Sequence, residues 1–449
     1  MTLFGTAGIR GPVTEVTPDL ALAVGRAVGR DAGTVVIGRD GRETGPALAA
    51  AVEAGAESTG ATVRRVGQVP TPALAYASRG RHGVMLTASH NPPADNGIKL
   101  FADGEEFDRD AERRVERRVA ADDPAADWDE WGDGRAETVL PDYRAAVVDY
   151  VREAVPDGAD AIAGTRVAVD CGTGVGALAT PQVLRALGAD VVALNATVDG
   201  HFPARASRPT AKSLSSLRTF VADGDVALGI GHDGDADRFV VVDADGAVVH
   251  EETVLAIVAA HYTRQADADD PVAVTTPNAS ARIDDRVAAA SGRVARVRLG
   301  ALHEGIARER AAGGDVVFAA EPWKHVHPAF GGWIDGVASA AVVAALTAGA
   351  GGIESLREPV DEPPKRRISV ECPDDAKAAA MDRLADSLPV AFDGNVNAEN
   401  GVRIDRPDGS WLLVRPSGTE PYVRIYAEGE DVDAILDRAR EVVADAVAA

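Results

Sequence analysis

A chain of 449 residues, 46% of them apolar, can bury a large core and is too hydrophobic to be disordered; at roughly 100–200 residues per domain it holds three or four domains. Its 70 acidic residues against 46 basic ones leave a formal charge of −24, which repels nucleic acid and anionic membrane and predicts a small ligand held in a local positive site. Cys171 and Cys372 lack any partner pattern, so neither a disulfide framework nor a Cys-based zinc site is expected, and without a leader pattern or a run of about 18 apolar residues the chain reads as cytoplasmic.

In chain order, a short β-branched run, a Gly- or Asp-rich turn and an Ala-rich helical stretch recur. They occur in "TVVIGRDGRETGPALAAAVEAGAESTG" from Thr34, "TRVAVDCGTGVGALATPQVLRALGADVVAL" from Thr165 and "PVAVTTPNASARIDDRVAAA" from Pro271. Strands alternating with helices of this length predict a mostly parallel α/β architecture. Boundaries are expected at the acidic stretch Asp122 to Asp133 with the helix that follows it, at a turn near Asp243–Gly246, and at the linker "REPVDEPPKRRI". Beyond residue 367 the pattern becomes strand, helix, several strands with a hairpin at Pro407-Asp408-Gly409, and a closing helix. The expected fold is therefore α/β, with an α+β unit at the C-terminal end. Of the 46 basic residues only Lys99, Lys212, Lys324, Lys365 and Lys377 are lysines; an acidic, arginine-rich chain suits a salt-rich cytoplasm, and a GC-rich genome accounts for the bias equally well.

Four polar constellations stand out. In "MLTASHNPPADNGIKL", Ser89 has no glycine elbow, and the adjacent His90 points away from it on any strand, so no hydrolase triad is formed. A serine without a strong base still serves phosphoryl transfer, where positioning and charge neutralisation dominate, and Lys99 and Arg10 are candidate cations; a helix-capping role is the alternative. In "GIGHDGDADRFVVVD", Asp233, Asp235 and Asp237 alternate before an apolar strand and can meet one hard cation such as Mg²⁺. An EF-hand fails on spacing, and a solvated acidic turn is the alternative. "LLVRPSGTEPYVRIYAEG" sets Arg415, Ser417, Gly418 and Thr419 around a tight turn with Arg424 on the next strand, the parts needed to hold phosphate oxygens; a polar hairpin turn is the alternative. "VDCGTGVGA" fits G-x-G-x-x-A at Gly172, Gly174 and Ala177, but Asn195 stands where a ribose-binding acid is expected, so a plain βα turn is preferred.

Together "TASHNP", "DGDADR" and "RPSGTEP" resemble, in order, three signatures of the α-D-phosphohexomutases. "FGTAGIRG", "GRDGRETG", "VPTPAL" and "DGHFPARASRPT" are similar to further stretches of that family, so the resemblance spans essentially the whole chain. It implies three similar α/β domains with mixed sheets plus a C-terminal α+β domain around a central cleft, with boundaries at 1–152, 153–252, 253–362 and 363–449. It also implies that Ser89 carries a phosphoryl group, that Ser89, Asp233, Asp235 and Asp237 enclose one Mg²⁺, and that a hexose 1,6-bisphosphate is intermediate and activator. His90 and Lys99 would assist proton transfer and charge balance; Arg10 and Arg238 would hold the reacting groups. The Arg415, Ser417, Gly418, Thr419 turn with Arg424 would clamp the non-reacting phosphate. The sugar-reading signature of that family, Gly-Glu-x-Ser-Gly-His, is altered here to "AEPWKH": Glu321 and His325 remain, and Trp323 and Lys324 replace Ser and Gly. A large ring there suits stacking on a sugar face, and the lysine adds phosphate charge. The expected activity is interconversion of hexose 1- and 6-phosphates of glucose or mannose, with glucosamine phosphate as the alternative. The expected partners are small phosphosugars, and the expected assembly is a monomer or homodimer. A silent phosphosugar-binding paralogue and a nicotinamide oxidoreductase are the rivals.

Overall fold

Three strands, the β-branched-rich Thr34–Arg39 and Thr62–Gln68 and the buried His82–Leu86, lie parallel at the centre of a seven-stranded sheet. The strand Asp95–Ala102 continues it antiparallel to His82–Leu86, and Ile9–Pro12 pairs antiparallel beyond that. The sheet is therefore mixed. The computed structural model describes residues 3–5, 8–418 and 420–448, which fall into two compact units: Met1–Val254 with Trp323–Arg357, and Leu255–Pro322 with Glu358–Ala449.

In the first unit, helices Pro18–Gly29 and Gly45–Glu57 cover one sheet face and bury Val24, Val28, Leu48 and Val52 against Val35, Ile37 and Val84. Each such side chain contributes about 1.5–3 kcal/mol through burial. Thr17 starts the first helix by accepting from Leu20 N at 3.3 Å, with Pro18 at its first position, where a missing N–H costs nothing. A second sheet orders its strands Phe239–Val242, Leu228–His232, Arg166–Asp170 and Asp190–Leu194; all but the first are parallel. Helix Gly336–Gly349 is buried almost throughout, which explains its lack of a polar face, and Asp335 caps it by accepting from Ala338 N at 2.8 Å.

In the second unit, strands Arg293–Arg296, Pro271–Thr275 and Asp315–Glu321 are parallel neighbours. The change of pattern after residue 367 corresponds to a five-stranded antiparallel sheet: Lys365–Glu371, Tyr422–Glu428, Trp411–Pro416, Val402–Asp405 and Asn395–Asn397. Helices Lys377–Ala391 and Val432–Ala448 bury Leu384, Leu388, Ile435, Leu436 and Val443 on one face of it. The expected hairpin turn joins Val402–Asp405 to Trp411–Pro416, with Gly409 at φ 82°. Both cysteines are buried and free.

Candidate active site

The carboxyl end of strand His82–Leu86 delivers the chain into the loop that carries Ser89. Ser89 has φ 52°, a left-handed conformation that costs a non-glycine residue about 1–2 kcal/mol and persists only where neighbours hold it. Ser89 N donates to Thr87 Oγ1 at 2.9 Å, and the Thr87 hydroxyl donates to the buried Asp40 carboxylate at 2.7 Å. Arg42, fully buried, pairs with Asp40 at 3.1 Å and donates to the carbonyls of Ser89, Asn91, Pro92 and Asp95 at 3.1, 2.8, 2.5 and 2.7 Å. The Ser207 hydroxyl donates to Ser89 O at 2.8 Å. With its backbone so held, Ser89 directs Oγ to Asp233 Oδ2 at 2.7 Å, and His90 Nδ1 stands 3.4 Å from the same Oγ. No helix starts at Ser89, which disposes of the capping alternative.

Strand Leu228–His232 likewise ends in the loop Asp233 to Arg238, whose alternating carboxylates converge: one oxygen from each of Asp233, Asp235 and Asp237 lies within 4.8 Å of the others. Gly234 permits the two loops to meet, since a Cβ there would stand 2.7 Å from both Ser89 O and Ser207 Oγ. Strand Asp95–Ala102 supplies Lys99, whose buried ammonium donates to Asp235 at 3.0 Å and to Asp237 at 2.6 Å. Arg10 sits on the neighbouring strand opposite Gly97, where a Cβ would meet the Ile9 and Thr87 carbonyls at 2.6 Å. Arg238 Nε is 3.7 Å from Asp237 and 4.0 Å from Asp233, and Thr71 donates to Asp235 at 2.7 Å.

Burial, then the charges of Asp235 and Asp237, push the Asp233 carboxyl well above its ordinary range. Against burial, Lys99, Arg238 and Lys324 hold Asp237 well below it, and against burial and Asp237, Lys99 and Thr71 hold Asp235 low. Burial followed by Arg238 and Arg10 lowers His90 to about 4, so its ring is neutral near pH 7. Asp235 Oδ1 and Asp237 Oδ1 are buried without a hydrogen-bond partner among the described residues. Orphaned carboxylate oxygens facing a third carboxylate and a serine hydroxyl fit a hard divalent cation, which takes oxygen ligands and relieves the mutual repulsion.

The altered sugar loop lies partly in each unit. In the first, Trp323 has φ 71° and packs its half-buried ring against the apolar cluster of Ala168, Leu214, Val240 and Val242. The neighbouring His325 is buried and meets Phe239 edge-on at 5.1 Å, two residues beyond Asp237. In the second unit, Glu321 ends its strand and accepts from Gly300 N at 2.6 Å. There Arg415 and Arg424 lie directly opposite each other on paired strands. Arg415 donates to Tyr426 OH at 3.0 Å while its Nε has no partner among the described residues, and Arg424 pairs with Glu420. Although burial opposes it, Arg415 and Arg424 draw the Tyr426 phenol below its usual range. Ser417 is buried and its Oγ has no partner among the described residues, Gly418 follows it, and Thr419 lies outside the described residues.

At the G-x-G-x-x-A stretch the Arg205 guanidinium fills the space beside Gly172, 2.5 Å from where a Cβ would stand, and pairs with Asp170 at 3.0 Å. Asp40, Arg42, Thr71, Thr87, Ser207 and Tyr426 were not singled out from the sequence. The sole signal for the first two was a charged pair inside "GRDGRETG" beside a buried strand.

Comparison with known proteins agrees with this geometry. Residues 1–126 and 146–246 match the family models described as phosphoglucomutase/phosphomannomutase, alpha/beta/alpha domains I and II, and residues 368–446 match that family's C-terminal domain. A protein of Thermococcus kodakarensis named phosphopentomutase is 41% identical over 95% of this chain and 94% of its own. One of Methanopyrus kandleri named probable phosphoglucosamine mutase is 40% identical over 98% of this chain and 95% of its own. The crystal structure of a phosphoglucomutase/phosphomannomutase family protein from Burkholderia thailandensis superimposes with a TM-score of 0.86 at 24% identity, covering 99% of this chain and 97% of that one; at that identity it speaks for the fold.

Proposed function

The chain belongs to the α-D-phosphohexomutase family, whose members are isomerases that transfer phosphoryl groups, and from that premise we propose that it interconverts hexose 1-phosphates and hexose 6-phosphates through a phosphorylated Ser89 and a hexose 1,6-bisphosphate. The observation that carries the proposal is the Ser89 hydroxyl, 2.7 Å from Asp233 and held by a strained, over-determined loop against three converging carboxylates.

Asp233, Asp235, Asp237 and the Ser89 oxygen would hold one Mg²⁺, which when bound neutralises charge on the transferred phosphoryl group. The remaining chemistry falls to the chain's own side chains. A sugar hydroxyl attacks the phosphorus on Ser89, the Oγ–P bond breaks with its electron pair going to Oγ, and the bisphosphate forms. Return of the other phosphate to Ser89 completes the turnover. His90, neutral near pH 7, accepts the proton of the attacking hydroxyl through a ring nitrogen. Lys99, paired to two carboxylates, remains an ammonium and acts as a fixed charge rather than a base. Arg10 and Arg238 steady the transferred group. Arg415, Ser417, Gly418, Thr419 and Arg424 clamp the phosphate that does not react.

Glucose or mannose phosphates are the leading candidates, with glucosamine phosphate, the substrate named for the Methanopyrus kandleri relative, next. A second reading, pentose phosphates, is favoured by the 41% identity to a protein named phosphopentomutase. The silent-paralogue rival is disfavoured by the complete set of Ser89 and three aspartates. No helix among the described residues is long and apolar enough to cross a membrane, and a cytoplasmic monomer or homodimer completes the proposal.

The test assays purified protein on the 1-phosphates of glucose, mannose, glucosamine and ribose, with the matching bisphosphate supplied. Turnover of at least one substrate is expected, abolished by Ser89→Ala. Intact-mass measurement should find one phosphate that this substitution removes. A Ser89→Ala variant of undiminished activity would sink the mechanism, and a ribose-only profile would replace hexose by pentose.

A further inference from the structure

Lysine is rare in this chain, so each one raises the question of what arginine could not do there. Lys377 opens the helix Lys377–Ala391, and its side chain is 12% exposed. Its ammonium donates to Ser417 O at 2.7 Å and to Glu420 O at 2.6 Å, the two ends of the turn between strands Trp411–Pro416 and Tyr422–Glu428, and meets Asp374 Oδ1 at 2.5 Å. Three N–H groups thus have three acceptors. An ammonium disposes its donors tetrahedrally around one point, whereas the guanidinium spreads five donors in a plane and cannot gather three acceptors about one atom.

The turn itself shows why this matters. Ser417 N is committed to Tyr422 O at 2.8 Å, and Glu420 O also accepts from Tyr422 N at 2.8 Å. On the same turn the Ser417 hydroxyl and Arg415 Nε are buried and have no hydrogen-bond partner among the described residues, as groups awaiting an acceptor ligand do. Backbone carbonyls near such donors oppose an anion unless a cation draws them away.

We infer that Lys377 is the positioning residue of the anion-binding turn: by taking the Ser417 and Glu420 carbonyls it fixes the turn with its donors available to the phosphate that does not react. The inference rests on the reading of that turn as a phosphate clamp. Lys377 touches carbonyls and a carboxylate of its own chain, so it acts through the turn and should set phosphate affinity rather than the chemical step.

The experiment compares full-length wild type with Lys377→Met, Lys377→Arg and Arg415→Ala. It measures kcat and KM on the best substrate of the panel, binding of inorganic phosphate by calorimetry, and thermal melting. Lys377→Met should raise KM and the phosphate Kd about tenfold, the equivalent of one charge-assisted hydrogen-bond set, with kcat within about threefold of wild type. Lys377→Arg keeps the charge but not the tetrahedral fit and should rescue only in part. Wild-type KM in Lys377→Met, alongside a raised KM in Arg415→Ala, would overturn the inference and leave the clamp standing. An unchanged KM in Arg415→Ala would bring down the clamp reading and the inference with it. If Lys377→Met fails to fold, the arginine variant decides: full wild-type KM there refutes the need for a tetrahedral donor.

Discussion

Replacing Arg42 by Met tests how the Ser89 loop is held. The substitution keeps much of the apolar stem and deletes the guanidinium, leaving Asp40 as a fully buried carboxylate without its partner and removing the donor to the carbonyls of Ser89, Asn91, Pro92 and Asp95. Breaking a buried pair from one side costs about 3–5 kcal/mol, and the abandoned carbonyls bring the loss to the order of 4–6 kcal/mol. Total stabilities of about 5–15 kcal/mol make that a large fraction of what holds the fold. Arg42→Lys retains a charge for Asp40 but has three donors for five acceptors, so about half the loss should return. Urea titration followed by circular dichroism measures the stability. Turnover and the phosphate on Ser89, read by intact mass, measure the site. We expect the methionine variant to lose stability and turnover together, because relaxing Ser89 from φ 52° withdraws its hydroxyl from Asp233. A stability loss below about 1 kcal/mol, or a large loss with unchanged kcat, would refute the idea that Arg42 holds Ser89 in its strained conformation.

Asp235→Asn removes one of three anionic oxygens and half of the Lys99 pairing; magnesium titrated into the protein should bind more weakly and the activity curve should move to higher metal, whereas superimposable titrations would restore the solvated-turn reading. Trp323→Ser should alter kcat/KM unequally among the sugar 1-phosphates if the loop reads the sugar, while Arg415→Ala weakens all of them alike by about 2–5 kcal/mol; parallel losses in both variants would move specificity elsewhere. His327 is buried, paired with Ser339 at 2.8 Å, and lowered by burial to about 3. Its folded pKa lies below the unfolded value, so below about pH 6.5 the unfolded chain binds a proton the native state does not, and stability falls as pH drops; from pH 7 to 5 this costs about 2 kcal/mol. Chemical denaturation of wild type and His327→Gln at both pH values should show the variant's stability relative to wild type improving by that amount, and equal pH slopes would contradict it.

The sequence by itself determined everything that depends on local order along the chain. Strand-turn-helix alternation marked the α/β units, because hydrophobic period and turn residues are set by neighbours a few positions apart. Aspartates spaced by two before an apolar strand predicted convergent carboxylates, and Asp233, Asp235 and Asp237 do converge. Glycine and arginine around residues 415–418 likewise marked the turn. What the sequence did not determine is the set of contacts between residues brought together from distant segments. Arg42 lies some fifty residues from the carbonyls it holds, Ser207 far downstream of the serine it supports, and Lys377 forty residues before the turn it fastens. Nothing in a single sequence distinguishes such residues from the many other arginines, serines and charged side chains around them. Trp323 shows the same limit from the other side: composition suits it to stacking on a sugar, and only the tertiary structure packs it against the apolar cluster that contains Leu214 and Val240. Residue type and local spacing are written in the chain. Which buried polar group meets which partner is decided when packing leaves a carbonyl or a carboxylate beyond the reach of water and one side chain close enough to satisfy it.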